Sequence, residues 1–154
     1  MIELRWETTI RASADAVFSL LANLRDYERW LPRSASFNGT TTISAGPIDL
    51  GTMYVEPGPL GTRFGSITAY VRPTRIDFEQ PMRLRPAFLG VVGIKLFHTL
   101  TPRLDSVHLV RTIQVTPQGF VKLFMPVAMG AFKAENERMI ATLKAVAERE
   151  AREP

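Results

Sequence analysis

Cysteine is absent from this chain of 154 residues, and histidine occurs only twice. Without cysteine the chain has no disulfide bond, no thiolate metal site and no cysteine nucleophile. The two histidines, His98 and His108, are too few for a usual histidine-based zinc site. We therefore expect a protein that binds no metal ion and uses no cofactor.

The chain also lacks a long uncharged hydrophobic run. The longest weakly charged run, residues 86–100, is shorter than a membrane span and contains Lys95. Residues 1–11 alternate in polarity and carry charges where a signal peptide has an unbroken apolar core. These features predict a cytoplasmic protein with no integral membrane segment.

Acidic residues are outnumbered, with 15 Asp and Glu against 19 Lys and Arg, and the pI is about 9.8. The arginines are not contiguous, and no basic run is interleaved with aromatic residues as in a nucleic-acid platform. We therefore expect no nucleic-acid partner. A transient membrane contact fits the net charge of +4, with a basic rim at Arg72, Arg75, Arg83 and Arg85, but such arginines are more often simply solvated.

What the sequence does contain is the composition of an ordinary globular domain, 45% hydrophobic and 22% charged. There is no internal repeat and no low-complexity tract, so residues 1–154 are predicted to form a single domain. The chain is expected to be a monomer or a homodimer.

The last third of the chain has helical periodicity. Apolar residues recur at steps of three and four from Phe120 to Val146, with charges between them. Thr116 can cap the start of this helix, with Pro117 at its first position. Such a helix needs a large apolar partner, and the preceding strands offer a curved sheet. We expect an apolar cavity between the sheet and the helix.

The rest of the chain predicts an α+β fold. Residues 1–11 alternate as a strand with one buried face, and Ser13 then caps a short helix that is followed by another helical turn near Tyr27. Six further strands follow in an antiparallel meander. They are predicted at residues 37–44, 51–56, 62–72, 75–82, 91–102 and 106–116.

Residues 13–32, SADAVFSLLANLRDYERWLP, resemble the opening segment of the START-like (SRPBCC) helix-grip superfamily, in particular its polyketide cyclase/dehydrase-like branch. The element order of the whole chain is also similar. The resemblance implies a seven-stranded antiparallel sheet wrapped around a long C-terminal helix, with two short helices after the first strand. It further implies a deep cavity for a lipid, a polyketide, a quinone or a similar molecule.

His98 and Arg111 are polar residues on the apolar side of two adjacent predicted strands. In the predicted register they are diagonal neighbours around the turn at Arg103 and Leu104. As a cationic pair in a cavity they would orient a carboxylate or a polarised carbonyl, and His98 could exchange a proton near neutral pH. Alternatively, a register shift of one residue turns both outward, or each is satisfied by a carboxylate such as Glu135 or by the backbone.

Other predicted ligand contacts lie on the strands and on the first half of the C-terminal helix. Pro126 and Gly130 are expected to let that half bend away from the sheet. Plain core packing explains each residue as well. With His98 and Arg111, the predicted ligand-binding residues are Leu96, Phe78, Phe120, Phe124, Val127, Ala128, Ala131 and Phe132.

Three functions remain open from the sequence. The first is binding or transport of a small hydrophobic molecule. The second is a polyketide cyclase or dehydratase with His98 and Arg111 as candidate catalytic residues, although paired carboxylates and a nucleophile with its base are missing. The third is a module that binds a partner protein in the same groove, for which an exposed hydrophobic groove would be the indication.

Overall fold

The computed structural model describes residues 1–34 and 37–153. Within them, seven strands form one antiparallel sheet that packs against a long C-terminal helix, as predicted. The strands are β1 (Ile2–Ile10), β2 (Met53–Pro57), β3 (Gly61–Val71), β4 (Arg75–Glu79), β5 (Met82–Leu84), β6 (Val91–Pro102) and β7 (Val107–Gln118). The helices are α1 (Ala14–Ala22) and α2 (Met125–Arg152), with 3-10 turns at Leu24–Arg29, Ala87–Leu89 and Phe120–Phe124.

The sheet has the order β1-β7-β6-β4-β3-β2, with β5 paired to β3 and β6. Strands β6 and β7 are the longest and form its centre. Their residues alternate between buried and more exposed positions, because one face of the sheet packs against α2 and the other meets solvent. The core therefore lies between this inner face and the helices.

Helix α1 begins as predicted. The Ser13 hydroxyl accepts a hydrogen bond from the Ala16 amide at 3.1 Å, which satisfies one of the free N–H groups of the first turn. At the other end, the Trp30 indole donates to the Leu20 carbonyl at 2.9 Å and the Tyr27 hydroxyl donates to the Leu21 carbonyl. Two aromatic side chains thus fasten the following turn to the end of α1.

Two predicted strands differ from the structure. Residues 37–44 form no strand, and only an isolated bridge joins Thr41 to Val55. The predicted strand at residues 75–82 is divided into β4 and β5. Gln80 and Pro81 separate the two, and proline cannot donate to a ladder hydrogen bond. The total of seven strands is unchanged because one strand is lost and another is split.

The start of the C-terminal helix was also predicted too early. Residues 116–118 belong to β7, where they pair with residues 91–93 of β6. After Gly119 and a 3-10 turn, α2 starts at Met125 with Pro126 in its first turn. Proline is tolerated there, so Pro126 initiates the helix and does not kink it. Pro154 lies outside the described residues.

The two halves of α2 are packed differently. Its C-terminal half is anchored by buried residues and by Arg29, whose guanidinium contacts both carboxylate oxygens of Glu150 at 2.6 and 2.8 Å. In the N-terminal half, Met125 is buried, Met129 and Phe132 are half-buried, and most other residues are exposed. None of the helices in the described ranges has both the length and the hydropathy that a bilayer span requires.

Candidate functional site

The candidate site is a buried polar cluster formed by His98, Arg111 and Asn136. His98 on β6 and Arg111 on β7 are 1% and 5% exposed on the inner face. They pair directly, whereas the sequence predicted diagonal neighbours. The difference arises because the strands are joined by residues 103–106, with Pro102 opposite Val107. Both side chains are therefore held side by side under α2.

The hydrogen bonds of His98 define its tautomer. Its Nδ1 lies 3.1 Å from the carbonyl oxygen of Ile76, which can only accept a hydrogen bond, so Nδ1 carries the proton. Its Nε2 accepts from the Nη1 of Arg111 at 2.7 Å. Burial, together with the charge of Arg111, holds the pKa of His98 well below its usual range. The imidazole is therefore neutral at physiological pH, with its lone pair already in use.

Asn136 joins the cluster from α2. Its Oδ1 accepts from the Nη2 of Arg111 at 2.8 Å, and its Nδ2 donates to the carbonyl of Phe132 at 2.9 Å. The same Nη2 of Arg111 lies 3.9 Å from the sulfur of Met139. The helix thus contacts the charged group on the sheet through the Asn136 amide oxygen and, more weakly, through the Met139 sulfur.

Arg111 is a buried cation whose direct partners are all neutral. Within residues 1–34 and 37–153, no carboxylate lies within ion-pairing distance, and its Nε is buried with no hydrogen-bond partner. Burial lowers the pKa of Arg111 to about 10, while nearby phenol groups and the carboxylate of Glu56 act in the opposite direction. The guanidinium remains charged at neutral pH and can accommodate an anionic or carbonyl oxygen.

A second group of buried polar residues, which the sequence analysis missed, lies on β2 and favours the charged form of Arg111 electrostatically. Tyr54 and Glu56 are buried on the inner face, with the Tyr54 hydroxyl donating to the Oε1 of Gln80 at 2.7 Å. Glu56 pairs with Arg63 at 2.9 Å. Burial raises the pKa of Glu56 even though both arginines favour its charged form.

The local sequence explains why Tyr54 and Glu56 were not predicted to face inward. Met53 and Val55 alternate with Tyr54 and Glu56, so periodicity alone would place the two apolar residues inside. The structure instead leaves Met53 exposed. The Tyr54 ring packs on Gly65 of β3, where an added Cβ would overlap the ring. A glycine opposite a tyrosine was the one available indication.

The gap between α2 and the sheet is narrow at this cluster. It is too narrow for a water molecule. Its walls are formed by Trp30, His98, Leu109, Arg111, Met139, Ile140 and Leu143. The predicted cavity is therefore not open at the polar cluster in this structure, and any guest must displace side chains there.

The structure divides the predicted ligand-binding residues into two groups. Leu96 and Phe78 are buried on the inner face, and the rings of Phe78 and His98 pack edge to face. Phe132 is half-buried. The others are exposed on the 3-10 turn and on the first turns of α2, so they do not line the inner face of the sheet, and their contact with a ligand stays a prediction. These exposed residues are Phe120, Phe124, Val127, Ala128 and Ala131.

Glu135 lies on the flank of α2 and does not neutralise Arg111. Its carboxylate pairs with Arg138 at 2.7 Å and accepts from the Ser34 hydroxyl at 3.2 Å. The flank was the favoured position for Glu135 from the helical pattern, and it is confirmed. Asn136, the next residue along the helix, takes the inward position.

The buried His98 predicts a pH-dependent stability. The unfolded chain, with a His pKa near 6.5, takes up a proton that the folded chain excludes, so stability is lost as the pH falls below 6.5. A His98→Gln variant lacks this loss. Between pH 7.5 and 5.5 we expect wild type to lose about 1 kcal/mol relative to the variant. Urea unfolding of both proteins at both pH values measures their free energies of unfolding. If the stability difference between wild type and His98→Gln were the same at pH 7.5 and pH 5.5, the buried imidazole would not be neutral.

The chain is similar to proteins of known family. A family model described as polyketide cyclase/dehydrase and lipid transport matches residues 1–148. No curated protein sequence matches significantly. The family match thus covers nearly the whole chain, including all three residues of the polar cluster.

Solved structures share the fold at low sequence identity. A conserved protein from Geobacillus kaustophilus has a TM-score of 0.71 at 13% identity, with 96% of each chain covered. A protein from Arthrobacter aurescens has a TM-score of 0.66 at 16% identity, with 96% of this chain and 86% of that chain covered. Truncated norcoclaurine synthase from Thalictrum flavum has a TM-score of 0.64 at 17% identity, with 90% of each chain covered.

Proposed function

The chain belongs to the polyketide cyclase/dehydrase and lipid transport family, within the START-like helix-grip superfamily, and from this premise we propose that it binds a small hydrophobic molecule. The ligand is largely apolar and carries one acidic or carbonyl group. That group binds Arg111 and Asn136 between the sheet and α2, while the apolar part lies against the inner face of β6 and against Phe78. Removal of apolar surface from water drives the binding, at roughly 25 cal/mol per Å².

The observation that carries this proposal is the charge of Arg111. A buried guanidinium without a direct carboxylate partner is costly, and a ligand oxyanion or carbonyl oxygen would complete its hydrogen bonds. The neighbouring walls supply the apolar surroundings, with Trp30, Leu109 and Ile140 next to the guanidinium. Few polar groups in an apolar lining are typical of small-molecule sites.

Entry of the ligand requires the site to widen. The N-terminal half of α2 is the part that can move, since Gly130 meets no neighbouring side chain and most residues around it are exposed. Met139 contributes a flexible thioether that can change rotamer next to Arg111. We propose that residues 125–134 lift from the sheet to admit the ligand, and that the gap walled by Met139, Ile140 and Leu143 of the anchored half widens by side-chain rotation.

Catalysis by a cyclase or dehydratase mechanism is the second candidate, and one observation favours it. Glu56 is a buried carboxyl group whose pKa is raised, and it can hold a proton nearer to neutral pH than an ordinary glutamate. His98 is poorly suited to proton transfer, because its Nε2 lone pair accepts from Arg111. Binding is favoured since Glu56 is itself engaged by Arg63.

Laurate and lauryl alcohol test the proposal, because they share a hydrocarbon chain and differ in the head group. We expect laurate to raise the melting temperature and to slow amide exchange at residues 130–134, which exchange faster than residues 143–147 in the free protein. Lauryl alcohol should produce smaller changes, because it lacks the carboxylate. Thermal shift and hydrogen-exchange mass spectrometry measure both effects.

The proposal would be contradicted if neither laurate nor lauryl alcohol changed the melting temperature or the amide exchange. Protection confined to residues outside α2 and the inner face of the sheet would count against this site. The catalytic alternative would be favoured if the protein turned over a polyketide-like substrate and the Glu56→Gln variant still bound that substrate but no longer converted it.

A further inference from the structure

A group of exposed apolar side chains lies at the end of the sheet where β6 begins and β7 ends. We call Phe88, Phe120, Leu123, Phe124 and Val127 the apolar patch. Their side chains are between 56% and 83% exposed. The last four are spaced three and four residues apart, so they project from one side of the 3-10 turn and the start of α2. The proposed ligand site does not use them.

The fold brings the two parts of the patch together through a close backbone contact. Gly90 has a φ of +108°, and a Cβ there would lie 2.0 Å from the carbonyl oxygen of Gln118. This close contact brings the 3-10 turn Ala87–Leu89 against the segment after β7. The rings of Phe88 and Phe120 pack edge to face, with 6.4 Å between the ring centroids. The backbone contact at Gly90 therefore fixes the two parts of the apolar patch relative to each other.

The stretch of chain that carries the patch is basic. Between Gln80 and Ala134 the sequence contains a single acidic residue, Asp105, and it lies in the β6–β7 turn at the opposite end of the hairpin. The cations nearest to the patch in the sequence are Lys122, between Phe120 and Leu123, and Arg83 and Arg85, before Phe88. The Arg83 guanidinium lies over the Phe64 ring, and Arg85 donates to the Gly58 carbonyl. A surface that combines protruding aromatic and aliphatic side chains with cations complements an anionic bilayer.

We propose that the apolar patch docks the protein on the surface of an anionic lipid bilayer, with its side chains inserted at the headgroup boundary. A second copy of the chain is a less favourable partner for the patch. A two-fold contact would place the patch of one copy on that of the other, and the Lys122 side chains of the two copies would repel each other. This inference goes beyond the proposed ligand and stands independently of it. Laurate binding and vesicle binding can therefore fail separately.

Sedimentation with vesicles of equal parts phosphatidylcholine and phosphatidylglycerol tests the docking. We expect wild type to bind these vesicles and to bind pure phosphatidylcholine weakly. A Phe120→Ser/Leu123→Ser variant should bind the anionic vesicles at least about tenfold less, and Lys122→Glu at least about fivefold less. Leu104→Ser is the matched control, because Leu104 is fully exposed in the β6–β7 turn, about 40 Å away along the strands.

Site-specific labelling provides a second measurement, which the absence of cysteine makes simple. An environment-sensitive dye on Val127→Cys should brighten and shift to shorter wavelength when anionic vesicles are added. The same dye on Leu104→Cys should not change. Melting temperatures of all variants should stay near that of wild type, because the replaced side chains are exposed.

Three results would overturn the proposal. The first is equal binding of the patch variant and wild type to anionic vesicles. The second is an equal dye response at positions 104 and 127. The third is a dimer in solution that the Phe120→Ser/Leu123→Ser variant converts to monomer, which would identify the patch as a self-association surface.

Discussion

Replacing Arg111 by methionine is expected to reduce the affinity for laurate by a factor of about 30 or more. The reason is that loss of a buried charged partner costs about 2 kcal/mol or more. Affinity for lauryl alcohol should change much less, since its hydroxyl draws less on the charge. Isothermal titration with both compounds measures the contrast.

The folded state should tolerate this substitution. Removing a buried charge offsets the loss of the hydrogen bonds to His98 and Asn136, so the unfolding free energy should change by less than about 2 kcal/mol. Arg138→Met is the control, because Arg138 pairs with Glu135 on the flank of α2. Equal losses of laurate affinity in the two variants, or none in Arg111→Met, would place the carboxylate elsewhere.

Replacing Trp30 by alanine is expected to lower the unfolding free energy by about 3–5 kcal/mol. Trp30 is 2% exposed, lies against the gap beside Arg111 and donates to the Leu20 carbonyl at 2.9 Å. The variant loses both the packing and the link from this turn to α1. Chemical unfolding followed by circular dichroism measures the change without relying on tryptophan fluorescence.

Two further variants separate the causes. Trp30→Phe keeps most of the ring but cannot donate, so it should cost about 1–2 kcal/mol. Phe88→Ala removes an aromatic side chain that is exposed, and the change should stay within about 0.5 kcal/mol. A small effect of Trp30→Ala, similar to that of Phe88→Ala, would mean that Trp30 does not support the core under α2.

The antiparallel sheet and the inner-face residues of β6 and β7 could be predicted because they depend on local patterns, whereas the family was indicated by the resemblance of residues 13–32. Strict alternation predicts a strand with one buried face, and Ser13 followed by an apolar stripe predicts α1. The placement of His98 and Arg111 inside follows from the same alternation. A pattern of period two indicates which residues of a strand share a face, and the face with more apolar residues is the one predicted to be buried.

Exact pairings and helix ends could not be predicted in this way. The direct pairing of His98 with Arg111 depends on the length of the turn after Pro102, and a difference there changes diagonal neighbours to direct ones. The helix start was misplaced because residues 116–118 contain both a cap and a proline, yet their hydrogen bonds go to β6. Tertiary pairing overrides local capping preference at such positions.

The sequence by itself determined the run of strands followed by a long C-terminal helix, the absence of cysteine chemistry and the shared strand face of His98 and Arg111, because each of these is a property of residue types and their spacing. Only the tertiary structure decided that Asn136 from α2 completes the polar cluster, that Glu56 and Tyr54 face inward, and that Phe120 and Val127 face outward. Those outcomes depend on which surfaces meet across the fold, and residues far apart in the chain carry no local record of that contact.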